Sequence, residues 1–208
     1  TTEEAYVSIA SALGAAPIAG TRFVIYPSDD VLRAMAQPTA DDSISWLVTS
    51  PRSAEIAWGE PITPAVVSLV LNQMGLPPGE GRWLREGLAL HFESETAEVS
   101  LPTLVSAEHF TPWINSSTPN EAVGEDVSAM RAYSWSASGY LLGRYGPEGL
   151  RALCEVWAKE DRDAAFERAL GLSLRQFESD WHGEWIEPLR TTAAGIRATL
   201  DDQEAAVL

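Results

Sequence analysis

The apolar run AVVSLVLNQM, residues 65–74, constrains the fold of this chain more than any other stretch of the sequence. Periodicity alone would also allow a buried strand. Its length, the preceding Thr63-Pro64 and the following Gly75 favour a helix. A helix that is apolar nearly all round has to be buried. Because no apolar run here reaches the ~18–20 residues of a membrane span, we expect this helix in the core of a globular domain.

The size and composition of the chain permit such a core. The chain has 208 residues, of which 45% are hydrophobic and 21% charged, and it suits a single domain. The net charge of −16 argues against binding to nucleic acid and to anionic membrane surfaces, because both require a basic footprint. The only cysteine, Cys154, excludes an internal disulfide and is expected in the core. The sequence does not define an oligomeric state.

Residues 1–60 are predicted to form a mixed α/β part with a small sheet. Helices are predicted at 2–13, with Thr1 or Thr2 as the cap, and at about 29–36, capped by Ser28. Three β-rich runs predict strands, at 21–26, 43–50 and 53–58.

The remainder of the chain is predicted to be helical around one long loop. Residues 61–94 are expected to hold the buried helix, capped by Thr63, and a second helix at 82–94. Residues 95–124, rich in Pro, Ser and Thr, are predicted to form the loop. Residues 125–190 are predicted to form a C-terminal helical subdomain, and residues 191–208 an acidic helical tail. Within residues 125–190, helices are expected at 126–145, 147–158 and 164–170. A fourth is expected from Ser173, which forms a capping box with Gln176, to about residue 189.

Three sequence stretches carry family-like motifs: WLREGLALHF from Trp83, then YLLGRYGPEGLRALCEVW, then AFERALGLSLRQFESDW. They resemble the peptidase MA-like families of the gluzincin group, the thermolysin-type zincins, over roughly residues 62–185. In that family an HExxH helix precedes the WLxEGLA helix. The two His and the Glu of the second helix bind zinc, and the Glu of HExxH is the general base. The resemblance implies a zincin-like α+β fold, mainly α, with a small N-terminal sheet and a C-terminal helical subdomain.

The resemblance places the HExxH motif on AVVSL, residues 65–69. Ala65 replaces the first His, Val66 the base and Leu69 the second His. Zinc needs nitrogen, oxygen or sulfur donors at roughly 2.0–2.3 Å, and its bound water needs a neighbouring base. Aliphatic side chains supply neither, and neither HExxH nor HxxEH occurs elsewhere in the chain. We therefore expect no metal and no cofactor.

A few polar side chains are remnant candidates. Glu86 stands at the third-ligand position of the family, where we expect a hydrogen-bonded or Arg-paired acid; a carboxylate lining a ligand cleft is the alternative. For Tyr133 and Tyr140 we expect core tyrosines, with an oxyanion-stabilising role across the cleft as the alternative. His91 is expected at the core or its boundary, and a site formed by Glu86, His91 and His109 is the remaining combination of donors.

Together these observations predict a catalytically inactive, metallopeptidase-like domain, a pseudopeptidase, that serves as a binding or scaffold module. Its partner would be a peptide or a protein segment in the cleft. The alternative is a hydrolase that acts through a divergent metal site or a non-metal site in the same cleft, although no G-x-S-x-G nucleophile elbow is present. A third hypothesis is a structural module of a larger protein. The resemblance implies an extracytoplasmic or secreted setting, because family members are often secreted or membrane-attached.

Overall fold

The described part of the chain comprises residues 1–36, 46–93 and 127–193 of a computed structural model. It is α+β and mainly helical, as predicted. The elements are α1 (Thr2–Ala12), β1 (Arg22–Tyr26), α2 (Asp29–Ala36), β2 (Trp46–Ser50), β3 (Ser53–Ala57), α3 (Thr63–Gln73), α4 (Arg82–Phe92), α5 (Val127–Trp157), α6 (Arg162–Leu170) and α7 (Leu174–Trp181). The predicted loop at 95–124, His109, residues 43–45 of the second predicted strand, and residues 194–208 of the predicted tail lie outside the described residues.

The sheet joins β1, β3 and β2 in that order, with β1 parallel and β2 antiparallel to β3. The central strand β3 is the buried one, with Ala54 and Ile56 at the core. Phe23 of β1 meets the Tyr6 ring of α1 edge-on, with ring centroids 6.0 Å apart. Because α3 contacts β2 and β3, the sheet is one wall around the apolar helix.

α3 is enclosed along most of its length, since every residue from Ala65 to Asn72 is buried. This confirms the prediction of a buried helix that is apolar nearly all round. The predicted cap is wrong, however: the helix begins at Thr63 itself, and Ile62 is the N-cap without a side-chain hydrogen bond. Pro64 in the first turn carries no N–H, so the uncapped end leaves one fewer donor without a partner.

The end of α3 is set by Gly75, as predicted. Gly75 has φ +106°, a conformation that side chains rarely adopt. Its amide donates to Asn72 O at 3.1 Å, and the Leu76 amide donates to Leu71 O at 3.0 Å. This pair of hydrogen bonds is a Schellman motif, which satisfies the last carbonyls of the helix.

α5 consists of two arms that meet at Gly146, where the backbone has φ 67° and ψ −177°. Pro147 follows directly and opens the second arm. The sequence predicted two separate helices here, and the break lies where it was predicted. The predicted apolar stripe of the second arm is buried along its whole length; its members are Leu150, Leu153, Cys154 and Trp157.

The helices α6 and α7 each begin after an N-cap side chain, but the capping box predicted for α7 is incomplete. Asp161 caps α6 by accepting a hydrogen bond from the Ala164 amide at 3.0 Å. Ser173 caps α7 by accepting from the Gln176 amide at 3.2 Å. The Gln176 side chain donates to Asp180 at 2.6 Å and does not return to Ser173, so the predicted capping box is only half formed.

The last predicted helix contains an irregularity that the sequence did not indicate. After α7 the backbone forms a π-helical turn, His182–Ile186, and helical structure resumes over residues 187–193. One hydrophobic cluster extends from Tyr6 in α1 to Ile186 in this turn. Among the helices within the described ranges, none combines the length and the apolar character of a membrane span.

Candidate functional site

The three positions that the motif resemblance aligns with the zinc ligands and the base lie in the core. Ala65, Val66 and Leu69 each have 0% exposed surface and belong to the main hydrophobic cluster. Their hydrocarbon side chains have no lone pairs, and none reaches solvent. The residues at these positions therefore do not fit a zinc ion or a metal-bound water.

Glu86 lies one helix away, on α4, and is paired with an arginine. Its Oε1 accepts a hydrogen bond from Arg82 Nε at 2.6 Å. The two side chains are four residues apart on the same helix and are 31% and 50% exposed. This is the Arg-paired acid that the sequence favoured over a cleft carboxylate. An ion pair of this exposure contributes little to stability.

Arg85, the neighbour of Glu86, donates several hydrogen bonds between α3 and α4. It was not singled out from the sequence. It is 7% exposed. Its guanidinium donates to two groups of α3, Ser68 O at 3.0 Å and Asn72 Oδ1 at 2.7 Å. It also donates to Pro77 O at 2.7 Å and to Glu80 O at 2.8 Å in the connection to α4.

These hydrogen bonds explain how a charge is tolerated inside the fold. Burial lowers the pKa of Arg85 to about 10, so the guanidinium stays charged at neutral pH, and its donors face carbonyl and amide oxygens. The spacing of Arg85 in the sequence is the one indication of its burial. Arg85, Leu88 and Ala89 share one face of α4, and the two apolar residues are buried. An arginine on an apolar stripe predicts either burial or a stem that reaches the surface, and only the tertiary structure distinguishes the two.

Tyr133 and Tyr140 are core tyrosines on the first arm of α5, with exposed fractions of 3% and 1%. The Tyr133 ring meets Trp181 edge-on at 6.1 Å. The Tyr140 ring lies 5.5 Å from Phe177 and 6.0 Å from Trp185. The Tyr140 hydroxyl has no hydrogen-bond partner among the described residues, and burial raises its pKa to about 12.

His91 is exposed, so the predicted place at the core or its boundary is wrong: the ring packs on the half-buried Trp135 at the surface. Its Nε2 is 2.8 Å from the carbonyl oxygen of Trp135 and must carry the hydrogen, because a carbonyl only accepts. The ring also stacks on Trp135 at 5.2 Å. Desolvation lowers the pKa of His91, and the hydrogen bond to Trp135 opposes part of that shift. The imidazole is therefore mostly neutral at pH 7.

The structure does not bring the remnant candidates together. Glu86 and His91 are five residues apart on α4, which places them about 140° apart around the helix axis. His109, the third member of the combination considered from sequence, lies outside the described residues. Within residues 1–36, 46–93 and 127–193, no group of three or more His, Cys, Asp or Glu side chains is arranged to hold a metal ion.

Comparisons with family models, with curated proteins and with solved structures found no match to this chain. The peptidase MA-like resemblance therefore depends on the motif residues themselves.

Proposed function

We propose that this chain is a catalytically inactive, peptidase MA-like domain that binds or scaffolds another molecule. The observation that carries the proposal is the complete burial of Ala65, Val66 and Leu69, the residues aligned with HExxH. Hydrolysis by this class needs a metal with an open coordination position and an activated water. A sealed aliphatic helix offers no ligand atoms and no room for that water.

The Arg85 network supports the same proposal. In the arrangement that the resemblance implies, a zinc ion would bridge the first motif helix, here α3, to the second, here α4. In this chain a guanidinium bridges them, through Ser68 O and Asn72 Oδ1 of α3. The helix pair is thus joined by hydrogen bonds from a resident cation.

The pairing of Glu86 is the second supporting observation. A carboxylate that serves as a zinc ligand needs an oxygen directed at the ion. Here Oε1 is taken by Arg82 at 2.6 Å, and the side chain is partly exposed. The acid therefore has a local explanation that requires no metal.

The N-terminal α/β part carries exposed apolar side chains that a bound partner would cover. Trp58 is 75% exposed, Met35 67% and Ile25 51%. Trp58 directly follows β3, and its amide donates to Tyr26 O at 2.7 Å, so it lies at the carboxyl end of the parallel pair β1 and β3. Exposed apolar side chains mark an interaction surface where they form a contiguous patch.

The test is a cleavage assay with the purified protein and a mixed peptide substrate, with and without a chelator. We expect no cleavage above that of a Glu86→Gln variant. Glu148→Gln, which changes an exposed glutamate on the second arm of α5, is the matched control. Chelator-sensitive cleavage lost in Glu86→Gln but kept in Glu148→Gln would overturn the proposal. Chelator-resistant cleavage lost in His91→Gln would overturn it in favour of a non-metal hydrolase.

A further inference from the structure

A cavity of about 360 Å³ lies at the other end of α3 from Ala65 and Val66. One wall comes from the connection between α1 and β1, through Ala15 and Ile18. The floor is the C-terminal end of α3, including Met74. The side chains of Ala15, Ile18 and Met74 are apolar and suit an aliphatic side chain of a ligand.

The opposite wall is charged in an alternating pattern. Arg151 and Glu155 lie four residues apart on the second arm of α5, and Lys159 lies four residues further in the turn that follows. All three side chains are exposed, and within the described ranges none of them takes part in an ion pair. In a chain of net charge −16, this wall carries a net charge of +1 and presents both signs to a ligand.

The cavity is held in shape by hydrogen bonds and a close backbone approach. The Tyr6 hydroxyl donates to Gln73 Oε1 at 2.9 Å and accepts from the Ile18 amide at 2.8 Å, which ties one wall to the floor. A Cβ on Gly75 would lie 3.2 Å from Cys154 O and 3.3 Å from Glu155 Cα. The floor therefore rests directly on the helix that carries the charged wall, and the site needs little reorganisation to bind.

We propose that this cavity binds a short peptide with both termini free, of about dipeptide length and with an apolar side chain. The ligand ammonium would pair with Glu155, near the negative end of the α3 dipole. The carboxylate would pair with Arg151, four residues before Glu155, and the side chain would lie against Ile18 and Met74.

The proposed length rests on the spacing, along the helix, of the residues that carry the charges. Four residues of helix advance about 6 Å, and two residues of an extended peptide span about 6.6 Å. The termini of a dipeptide can thus reach neighbouring charges of the wall, whereas the ammonium and carboxylate of a single amino acid are too close together. This inference does not depend on the inactivity proposed above, because the cavity is remote from Ala65 and Val66.

The probe is the dipeptide leucylleucine, titrated into the isotopically labelled full chain at neutral pH while backbone amide NMR signals are recorded. We expect saturable shifts centred on Gly75. Glu155→Gln and Arg151→Gln should each weaken binding by about three- to fivefold, because each removes a charge contact that is exposed to solvent. Glu148→Gln and Arg175→Gln change exposed charges outside the cavity lining and should leave the affinity unchanged.

Three results would overturn the proposal. The first is an absence of saturable shifts with leucylleucine. The second is equal binding of the N-acetylated, C-amidated dipeptide or of free leucine, which would contradict the roles of both termini and of their spacing. The third is unchanged affinity in Glu155→Gln, with thermal unfolding showing that the variant is folded. Because metal content and cleavage are measured separately, failure here is distinguishable from failure of the proposed function.

Discussion

The carbonyl oxygen of Ser134 lies where a methyl group on Gly87 would have to fit: an ideal Cβ on Gly87 would be 2.0 Å from that oxygen. Glycine at position 87 therefore sets the distance between α4 and the first arm of α5. Alanine favours helix by about 1 kcal/mol over glycine, but here it forces the two backbones apart. We expect Gly87→Ala to lower the free energy of unfolding by roughly 1–3 kcal/mol, measured by urea denaturation.

Gly143→Ala is the control for that prediction. Gly143 lies on the same arm of α5, and a Cβ there would be 3.9 Å from Trp185, an ordinary contact. We expect the free energy of unfolding of this variant to rise by up to about 1 kcal/mol, because alanine favours helix over glycine. Equal effects of the two substitutions would show that the close approach at Ser134 does not determine the stability of the crossing.

Glu178 makes the stability of the α6–α7 corner depend on pH. The side chain is 9% exposed, its Oε1 has no hydrogen-bond partner among the described residues, and Asp163 caps the start of α7 through the Leu174 amide at 3.0 Å. Burial, followed by the charge of Asp163, raises the pKa of Glu178 to about 7 from an ordinary 4.5. The folded state thus holds this proton more tightly than the unfolded state does.

The sign of the effect follows by linkage. Stability should fall as the pH rises from about 4.5 to about 7, because ionisation is disfavoured only in the folded chain. We expect Glu178→Gln to be more stable than wild type by on the order of 2 kcal/mol near pH 8, with the difference vanishing near pH 4. Urea denaturation at both pH values checks this. The exposed Glu167→Gln should show no such trend, and a wild-type advantage at pH 8 would contradict the assignment.

Arg85 should be a major stabilising residue of the fold. Arg85→Met removes the guanidinium and leaves buried acceptors on α3 and in the connection to α4 without their donor. We expect a loss of about 3 kcal/mol or more in the free energy of unfolding, read by chemical denaturation. Arg82→Met, which breaks only the half-exposed pair with Glu86, should cost about 0.5 kcal/mol or less. Similar losses for the two would rule out the bridging role.

The buried Tyr140 hydroxyl gives a test of the packing around the first arm of α5. Its oxygen is buried without a partner among the described residues, so Tyr140→Phe removes an unsatisfied polar atom and keeps the ring. We expect stability to stay level or to rise by up to about 1 kcal/mol, as measured by thermal unfolding. A clear loss of stability would reveal a hydrogen bond to this hydroxyl that the account does not include.

The elements of the fold were largely predictable because their ends are encoded locally. Gly75, Gly146 and Gly171 end helices or break them where the sequence indicated, and each has positive φ. Such positions depend on backbone sterics alone. The absence of metal-binding side chains at positions 65, 66 and 69 follows from the residue types alone.

Features that depend on a choice between partners were not predictable. Gln176 could have completed the capping box but donates to Asp180, and Thr63 lies inside α3 where a cap was expected. The role of Arg85 required knowing that oxygen atoms of α3 and of the connection to α4 converge on one guanidinium. The π-helical turn His182–Ile186 and the cavity beside Arg151 likewise arise from tertiary contacts and have no local signal.

At the positions that the motif resemblance aligns with zinc ligands, α3 carries hydrocarbon side chains, and the zinc content of the purified chain tests the proposed inactivity most directly. The protein is incubated with excess zinc, dialysed, and analysed by elemental mass spectrometry beside Glu86→Gln. We expect no stoichiometric zinc in either protein. One tightly held zinc per wild-type chain, lost in Glu86→Gln, would contradict it.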